Sequence, residues 1–432
     1  MCKKYNIKNQ IEIIKKSYNK LIIKERKISS KTVVNCLMSG LAMFSLKYPS
    51  LLQFDQGKKD EIISHNLKKL YGVENAPSDT YMREILDELS PNDIRVGFKD
   101  LFRLLQTGKQ LKKYQYLDGH YLVSIDGTQH FASNKIHCDN CCEQHHRNGT
   151  VTYHHNLLGA AVVSPEIKAV IPLCPEPILK RDGDTKNDCE QNAADRLITH
   201  LRREHPHLKM IVVEDALYSK APHIRKLKQF NLKYIIGAKA TDHKYLFKVI
   251  NQSKQIQCIE FEDDHKIKHR YRFINNVSLN KSNKDLKVNF LDYTQIKKNG
   301  NKLYFSWITD IPINQDNYKQ LMLAGRSRWK IENETFNTLK NQGYQLEHNF
   351  GHGKKNLSTI FSFLMLLAFL IDQIQMLASI PFQKALYKAK SKVSLWFKLR
   401  SLFSHFIIND WNDVFLSIAY KQTANILTPN TS

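Results

Sequence analysis

Two aspartates stand where runs of apolar residues stop. Asp126 closes Val123-Ser124-Ile125 and precedes Gly127, and Asp215 closes Ile211-Val212-Val213-Glu214. In α/β sheets, ligands gather in the crevice outside strand ends, where the backbone fixes side chains against a shared space. A carboxylate at each of two strand ends makes a hard, oxygen-rich site of the kind Mg²⁺ takes, its shell completed by water and phosphate. Two such ions about 4 Å apart can stabilise the attacking and leaving oxygens of a phosphodiester displacement. Taken singly, either aspartate also reads as a turn residue. The recurrence at two strand exits is what points to a site. Glu214 points to the opposite face in a strand reading, so Asp215 is preferred. A third acid lies in Gly325-Arg326-Ser327-Arg328-Trp329-Lys330-Ile331-Glu332-Asn333-Glu334. On a helix Arg328 and Glu332 are four apart and share a face. Glu332 can complete what the aspartates begin, while the Arg328 fork can take a phosphate. The other reading is a surface ion pair.

Further clusters carry possible chemistry. His137-Cys138-Asp139-Asn140-Cys141-Cys142-Glu143-Gln144-His145-His146 has metal-like spacing. Cys138, Cys141 and His145 (or His146) could hold Zn²⁺, with a fourth ligand from His137, His154 or His155. The second half of a usual zinc motif is missing, so a reduced polar loop is the competing reading. Arg181 to Glu190 is acidic but lacks calcium-loop spacing and reads as a loop leading to an N-cap. Leu346 to Gly353 reads as helix termination.

The elements that must position these residues follow from periodicity. Residues 1–115 read as a helical domain, with apolar positions recurring at three and four. Within it, Glu61 to Leu70, then Tyr71-Gly72, then Asp79 to Leu89 reads as helix, turn, helix, with Ser78 or Asp79 as N-cap; a plain hairpin fits as well as a DNA-reading pair. Residues 116–240 read as the first part of a mixed α/β core, with strands at Tyr121–Ile125, Leu157–Val163, Ala169–Leu173, Lys209–Val213 and Tyr234–Ile236. Helices fall at Asp188–Glu204, where Asp188 and Gln191 resemble a capping box, and at Pro222–Phe230. Residues 241–315 alternate like antiparallel strands and read as an all-β insertion. Residues 316–380 return to helix and complete the core. Residues 381–432 form a helical C-terminal region with a loose tail at Thr428–Ser432.

At this point the chain resembles the DDE transposases of bacterial insertion sequences. The resemblance rests on Ser124-Ile125-Asp126-Gly127-Thr128, Val212-Val213-Glu214-Asp215-Ala216 and Arg328-Trp329-Lys330-Ile331-Glu332 with Phe336-Asn337-Thr338-Leu339-Lys340 downstream. It spans roughly residues 120–353. It implies an RNase H-like sheet in which a β-rich insertion separates the second Asp from the Glu. It also implies catalytic, metal-holding Asp126, Asp215 and Glu332, with Arg328, Arg326 and Lys340 on DNA. The reaction implied is attack of metal-activated water on the phosphodiester at an element's end, after which the freed 3′-hydroxyl attacks target DNA. Mg²⁺ or Mn²⁺, two ions, would be the cofactor, and a homodimer in the DNA complex the assembly. The pattern departs from the family at Gly325, where a Tyr is expected, and at Leu339, where the Lys is expected. Lys340 stands one residue late, about 80° around a helix from Glu332. Counting back from Phe336 puts the Glu place at Asn333, so Glu334 stays open beside Glu332. Trp329 reads as core packing. A metal-dependent nuclease without strand transfer, and a non-catalytic DNA-binding remnant, are the alternatives.

Composition agrees with a nucleic-acid partner. The chain has 432 residues, 42% of them hydrophobic, and a formal charge of +24, with mean hydropathy −0.45 and pI near 9.5. Such a surface attracts polyanions through counterion release; a membrane surface is the rival partner. Met1 to Lys16 has no hydrophobic stretch of the secretory kind. The strongest apolar run, Phe361 to Ile371, is shorter than the ~20 residues of a spanning helix and reads as a buried core helix. Three of the eight cysteines crowd together, which argues for reduced thiols or metal ligands and a cytoplasmic, nucleoid-associated setting.

Overall fold

The computed structural model describes residues 3–21, 30–183 and 186–420. The tail at 428–432, the loop residues Asp184 and Thr185, and the Asp188 side chain expected to cap a helix lie outside the described residues. Helices come first: α1 (Ile7–Asn19), α2 (Ser30–Ser45), α3 (Leu51–Gly57), α4 (Glu61–Tyr71), α5 (Asp79–Asp87) and α6 (Pro91–Thr107). Their ends are written in the sequence. Asp60 accepts from the amides of Ile62 and Ile63 at the start of α4, and Gly72 ends it at φ 65°. Ser90 and Asp93 form a capping box on α6 with Pro91 in its first turn, satisfying amides that have no partner inside the helix. The helices α4 and α5 each turn apolar residues inward, Ile63, Leu67 and Leu70 from the first and Met82, Ile85 and Leu86 from the second.

The sheet follows. Its strands are β1 (Gln115–Tyr116), β2 (His120–Ser133), β3 (Cys142–His145), β4 (Val151–Val163), β5 (Ile171–Ile178), β6 (Met210–Glu214) and β7 (Lys233–Gly237), then β8 (Gln257–Glu262), β9 (Lys268–Asn280), β10 (Asn283–Ile296) and β11 (Lys302–Thr309). Between them run α7 (Lys186–Glu204), α8 (Ala221–Gln229) and α9 (Lys244–Gln252). β2 and β4 are antiparallel, as are β4 and β5, whereas β6 is parallel to β2 and β7 to β6. The order β5-β4-β2-β6-β7, with helices between the parallel strands, is an RNase H-like sheet. β11 then pairs antiparallel with β7, so β11-β10-β9-β8 continues the same 11-stranded sheet instead of closing on itself.

Two expectations are corrected here. The third strand lies further along than Ala169–Leu173, because Ile171–Ile178 is the stretch that meets β4. Residues 241–315 are not all β: α9 opens them, burying Leu246, Phe247 and Ile250 on one face.

The remaining helices are α10 (Tyr318–Arg326), a six-residue π-helical turn (Ile331–Phe336), α11 (Asn337–Asn341), α12 (Leu357–Ala378), α13 (Ile380–Ala389), α14 (Lys392–His405) and α15 (Trp411–Tyr420). By length and composition α12 could cross a membrane, yet its apolar window is entirely buried in the protein. It packs against α2, α5, α6 and β5, which joins the N-terminal helices and the sheet into one continuous core. An apolar circumference all round is what such a position demands.

Candidate active site

The parallel register of β2 and β6 pairs Ser124 with Val213. Two residues further along each strand stand Asp126 and Asp215, on the same face because side chains alternate with period two. Neighbouring strands run about 4.8 Å apart, so the two carboxylates emerge side by side. Asp215 sits just past the strand, where its Oδ1 accepts from the Leu217 amide at 2.9 Å. Glu214 points the other way, buried, with an oxygen 2.7 Å from His223 Nε2.

The third acid arrives on the π-helical turn, which packs on the face of β2 and β4 that carries Asp126. Arg328 Nη1 donates to Asp126 Oδ2 at 2.8 Å, and its Nη2 lies 2.6 Å from Glu332 Oε1. Ser124 Oγ donates to the Arg328 carbonyl at 3.0 Å, which ties the α10–π-turn junction to the strand that carries Asp126. Close approach is permitted by Gly159, opposite Asp126 in the sheet. A Cβ on Gly159 would fall 2.8 Å from the Phe336 ring. The guanidinium therefore sits among the acids much as a cation would. Burial raises the Asp126 carboxyl to about 7, reinforced by its hydrogen bond with Glu332 and by the charges of Glu332 and Asp215, and opposed by Arg328. Burial works against the charge of Arg328, but Asp126, Glu332 and Asp215 outweigh it and hold the proton more tightly. One guanidinium thus serves more negative charge than it can neutralise, which is the electrostatic condition for taking up divalent cations. Glu334 acts by its charge on Lys330 and Lys392, whereas Glu332 pairs with Arg328, so the geometry favours Glu332 as the third acid.

The π turn explains the sequence departures. An i→i+5 ring uses one residue more than an α turn, about 100° of rotation. That absorbs the residue by which Lys340 seemed late relative to Glu332. Lys340 Nζ nonetheless pairs with Glu347 at 2.7 Å. At Gly325 there is no room for the expected Tyr, because a Cβ would meet the Trp307 indole at 2.5 Å.

A cleft of about 900 Å³ opens beside Asp215, lined by Lys239, Tyr304, Phe305, Arg326, Arg328 and Trp329. Arg326 lies over the Phe305 ring at 5.1 Å. Trp329 is 42% exposed, which overturns its reading as core. One acid of the stretch read as a loop before an N-cap lies within a helix instead. Glu190, on α7, accepts from the Tyr218 hydroxyl at 2.8 Å and lies against Gly127, its carboxylate 2.9 Å from where a Cβ would stand. Only the fold, not the spacing, brings it there.

Of the zinc candidates, Cys138 and Cys141 come together, but His145 does not join them. β3 pairs with β4 so that His145 faces Val151 at the strand's outer end; its side chain is 72% exposed and rests 3.3 Å from Glu143. His137 stacks on Tyr153, ring centroids 4.4 Å apart, and His146 bonds Thr152 at 2.8 Å.

Residues 167–370 match the family model described as "Transposase DDE domain". The chain carries a DDE transposase domain. The match to this transposase family takes in Asp215 and Glu332 and begins downstream of Asp126. Among solved structures, one similar to the chain is a piggyBac transposase synaptic complex with hairpin DNA, seen by cryo-electron microscopy. The identity is 12% and the TM-score 0.38, over 97% of this chain and 79% of that one. No curated protein matches the sequence.

Proposed function

We propose that the protein is a metal-dependent transposase that cuts a DNA strand at the end of an insertion sequence and joins the freed 3′-hydroxyl to target DNA. The observation that carries this reading is the convergence of Asp126, Asp215 and Glu332 about one guanidinium, inside a chain with a DDE transposase domain. Divalent cations, Mg²⁺ or Mn²⁺, held by these three carboxylates would supply an acidified water and a clamp on the attacking and leaving oxygens. The residues of the chain do the rest. Asp126 and Asp215, fixed at adjacent strand ends, set the position of the reacting phosphate. Arg328, released from its carboxylates, presents a planar fork that fits a phosphate. Arg326 and Lys239 line the cleft with positive charge, and exposed Trp329 offers a flat apolar face to a base. The charge of +24 favours a polyanionic partner. DNA, a homodimer on it and a cytoplasmic setting belong to the same proposal.

The test uses the full chain and labelled DNA carrying the terminal inverted repeats that flank its gene. Wild type is expected to nick the ends only with Mg²⁺ or Mn²⁺ and to join a pre-cut 3′-hydroxyl end. Asp126→Asn is expected to lose both activities by about a hundred- to a thousandfold, the scale of removing a group that stabilises the transition state. Undiminished cutting by Asp126→Asn would overturn the proposal. Cutting without joining would reduce it to a nuclease.

A further inference from the structure

A second site lies near the far end of β2, beyond the stretch that carries Asp126. Cys138 and Cys141 stand on the turn after β2, His155 on β4, and His352 on the loop before α12. Their ligand atoms all lie within 4.8 Å of one another. The separations are specific. Cys138 Sγ to Cys141 Sγ is 3.9 Å. His155 Nε2 lies 3.5 Å from Cys138 Sγ and 3.4 Å from Cys141 Sγ. His352 Nε2 lies 3.4 Å from Cys141 Sγ and 3.1 Å from His155 Nε2. Zn–S bonds of about 2.3 Å and Zn–N bonds of about 2.05 Å, set tetrahedrally, give edges of about 3.8 Å for S···S, 3.6 Å for S···N and 3.3 Å for N···N. Five of the six edges are close to those of such a tetrahedron, and the sixth, between Cys138 and His352, is no longer than 4.8 Å.

Its surroundings are prepared as well. His352 Nδ1 lies 2.8 Å from the Gly353 carbonyl; donating there, it leaves the Nε2 lone pair facing the cluster. The loop that carries His352 is held by Asp87, whose carboxylate accepts the amides of Lys354, Lys355, Asn356 and Leu357 at 2.8 to 3.0 Å. The Cys138 amide donates to Cys141 Sγ at 3.4 Å, a bond that supports a thiolate. Cys141, His155 and His352 are buried.

We infer that Cys138, Cys141, His155 and His352 bind one structural Zn²⁺. The two thiols give up their protons to solvent on binding, so the ion and two thiolates form a neutral centre suited to burial. With four protein ligands no position stays open for substrate, which makes the site a fastener and not a reaction centre. It joins the hairpin that carries Asp126 to the segment running from the Glu332 turn into α12. This inference does not depend on the proposed reaction.

The full chain, expressed without a histidine tag and kept reduced, is the material to test. Mass spectrometry of the metal content is expected to find about one zinc per chain, and Co²⁺ exchange to give the intense visible bands and thiolate charge transfer of a tetrahedral S₂N₂ site. Cys138→Ser and His352→Ala are expected to weaken zinc binding at least tenfold, while His145→Ala retains it. Folded wild type with neither zinc nor the cobalt spectrum would overturn the inference, as would zinc retained in both ligand variants. If those variants do not fold, the wild-type cobalt spectrum decides alone.

Discussion

At the scale of single residues, Asp126 carries the sharpest expectation. Its carboxyl, raised to about 7 against an ordinary 3.8, holds a proton in the folded, ion-free protein that the unfolded chain releases. Linkage gives the sign: this contribution to stability is complete below the unfolded value and is lost as pH rises through the folded one. In chelator, the melting temperature of wild type should therefore fall relative to Asp126→Asn between about pH 4 and pH 7. A constant difference across that window would show that the acid is not crowded. Added Mg²⁺ should restore wild type at the upper end and do nothing for the variant. In the proposed reaction the carboxylate acts ionised, so the rate of cleavage should climb through the same range. Asp126 and Asp215 were readable in the sequence because each ends an apolar strand, a local signal. His352 was not, because it lies 197 residues from His155 and only the folded chain makes them neighbours. His145 was misread for the converse reason: its nearness in sequence to Cys141 is undone by a strand register that carries it outward.

Among elements, the contact between the π turn and β4 sets where Glu332 stands. Gly159→Ala would push a methyl into the Phe336 ring, an overpacking that costs about 1–3 kcal/mol and shifts the Glu332 turn off the sheet. Cleavage is expected to drop at least tenfold, and Phe336→Leu in the same chain to restore part of it, since contacting residues couple. Additive losses in the double variant would mean the two do not touch. Most elements could be read from periodicity and caps, α4 and α5 above all. The π turn could not. It showed only as a misfit of one residue between Arg328-x-x-x-Glu332 and the Phe336-to-Lys340 run, with no residue type that announces it. The helix α9 was hidden because its nine residues are too few to separate a helical period from a strand-like one.

For the molecule as a whole, the decisive piece is α12 and the polar group it carries inside. Asp372 pairs with Lys47, which follows α2, and accepts from the Tyr344 hydroxyl. Lys47 Nζ also lies over the Trp396 ring at 4.1 Å. Burial lowers the lysine's affinity for its proton and Asp372 opposes that. Asp372→Ala leaves an ammonium buried without a counter-charge, a loss of about 3–5 kcal/mol, which should appear as an earlier denaturation midpoint. Lys47→Met together with Asp372→Leu should recover most of it. From the sequence, the run from Phe361 to Ile371 was readable as a core helix; that it serves the N-terminal helices and the sheet at once was not, since partner choice is a property of tertiary packing. A consequence follows for the order of manufacture. Some 250 residues separate the end of α6 from the start of α12, which at ordinary synthesis rates is roughly 12 to 50 seconds. For that interval the first helices leave the ribosome with their oily faces uncovered, waiting for a keystone not yet translated.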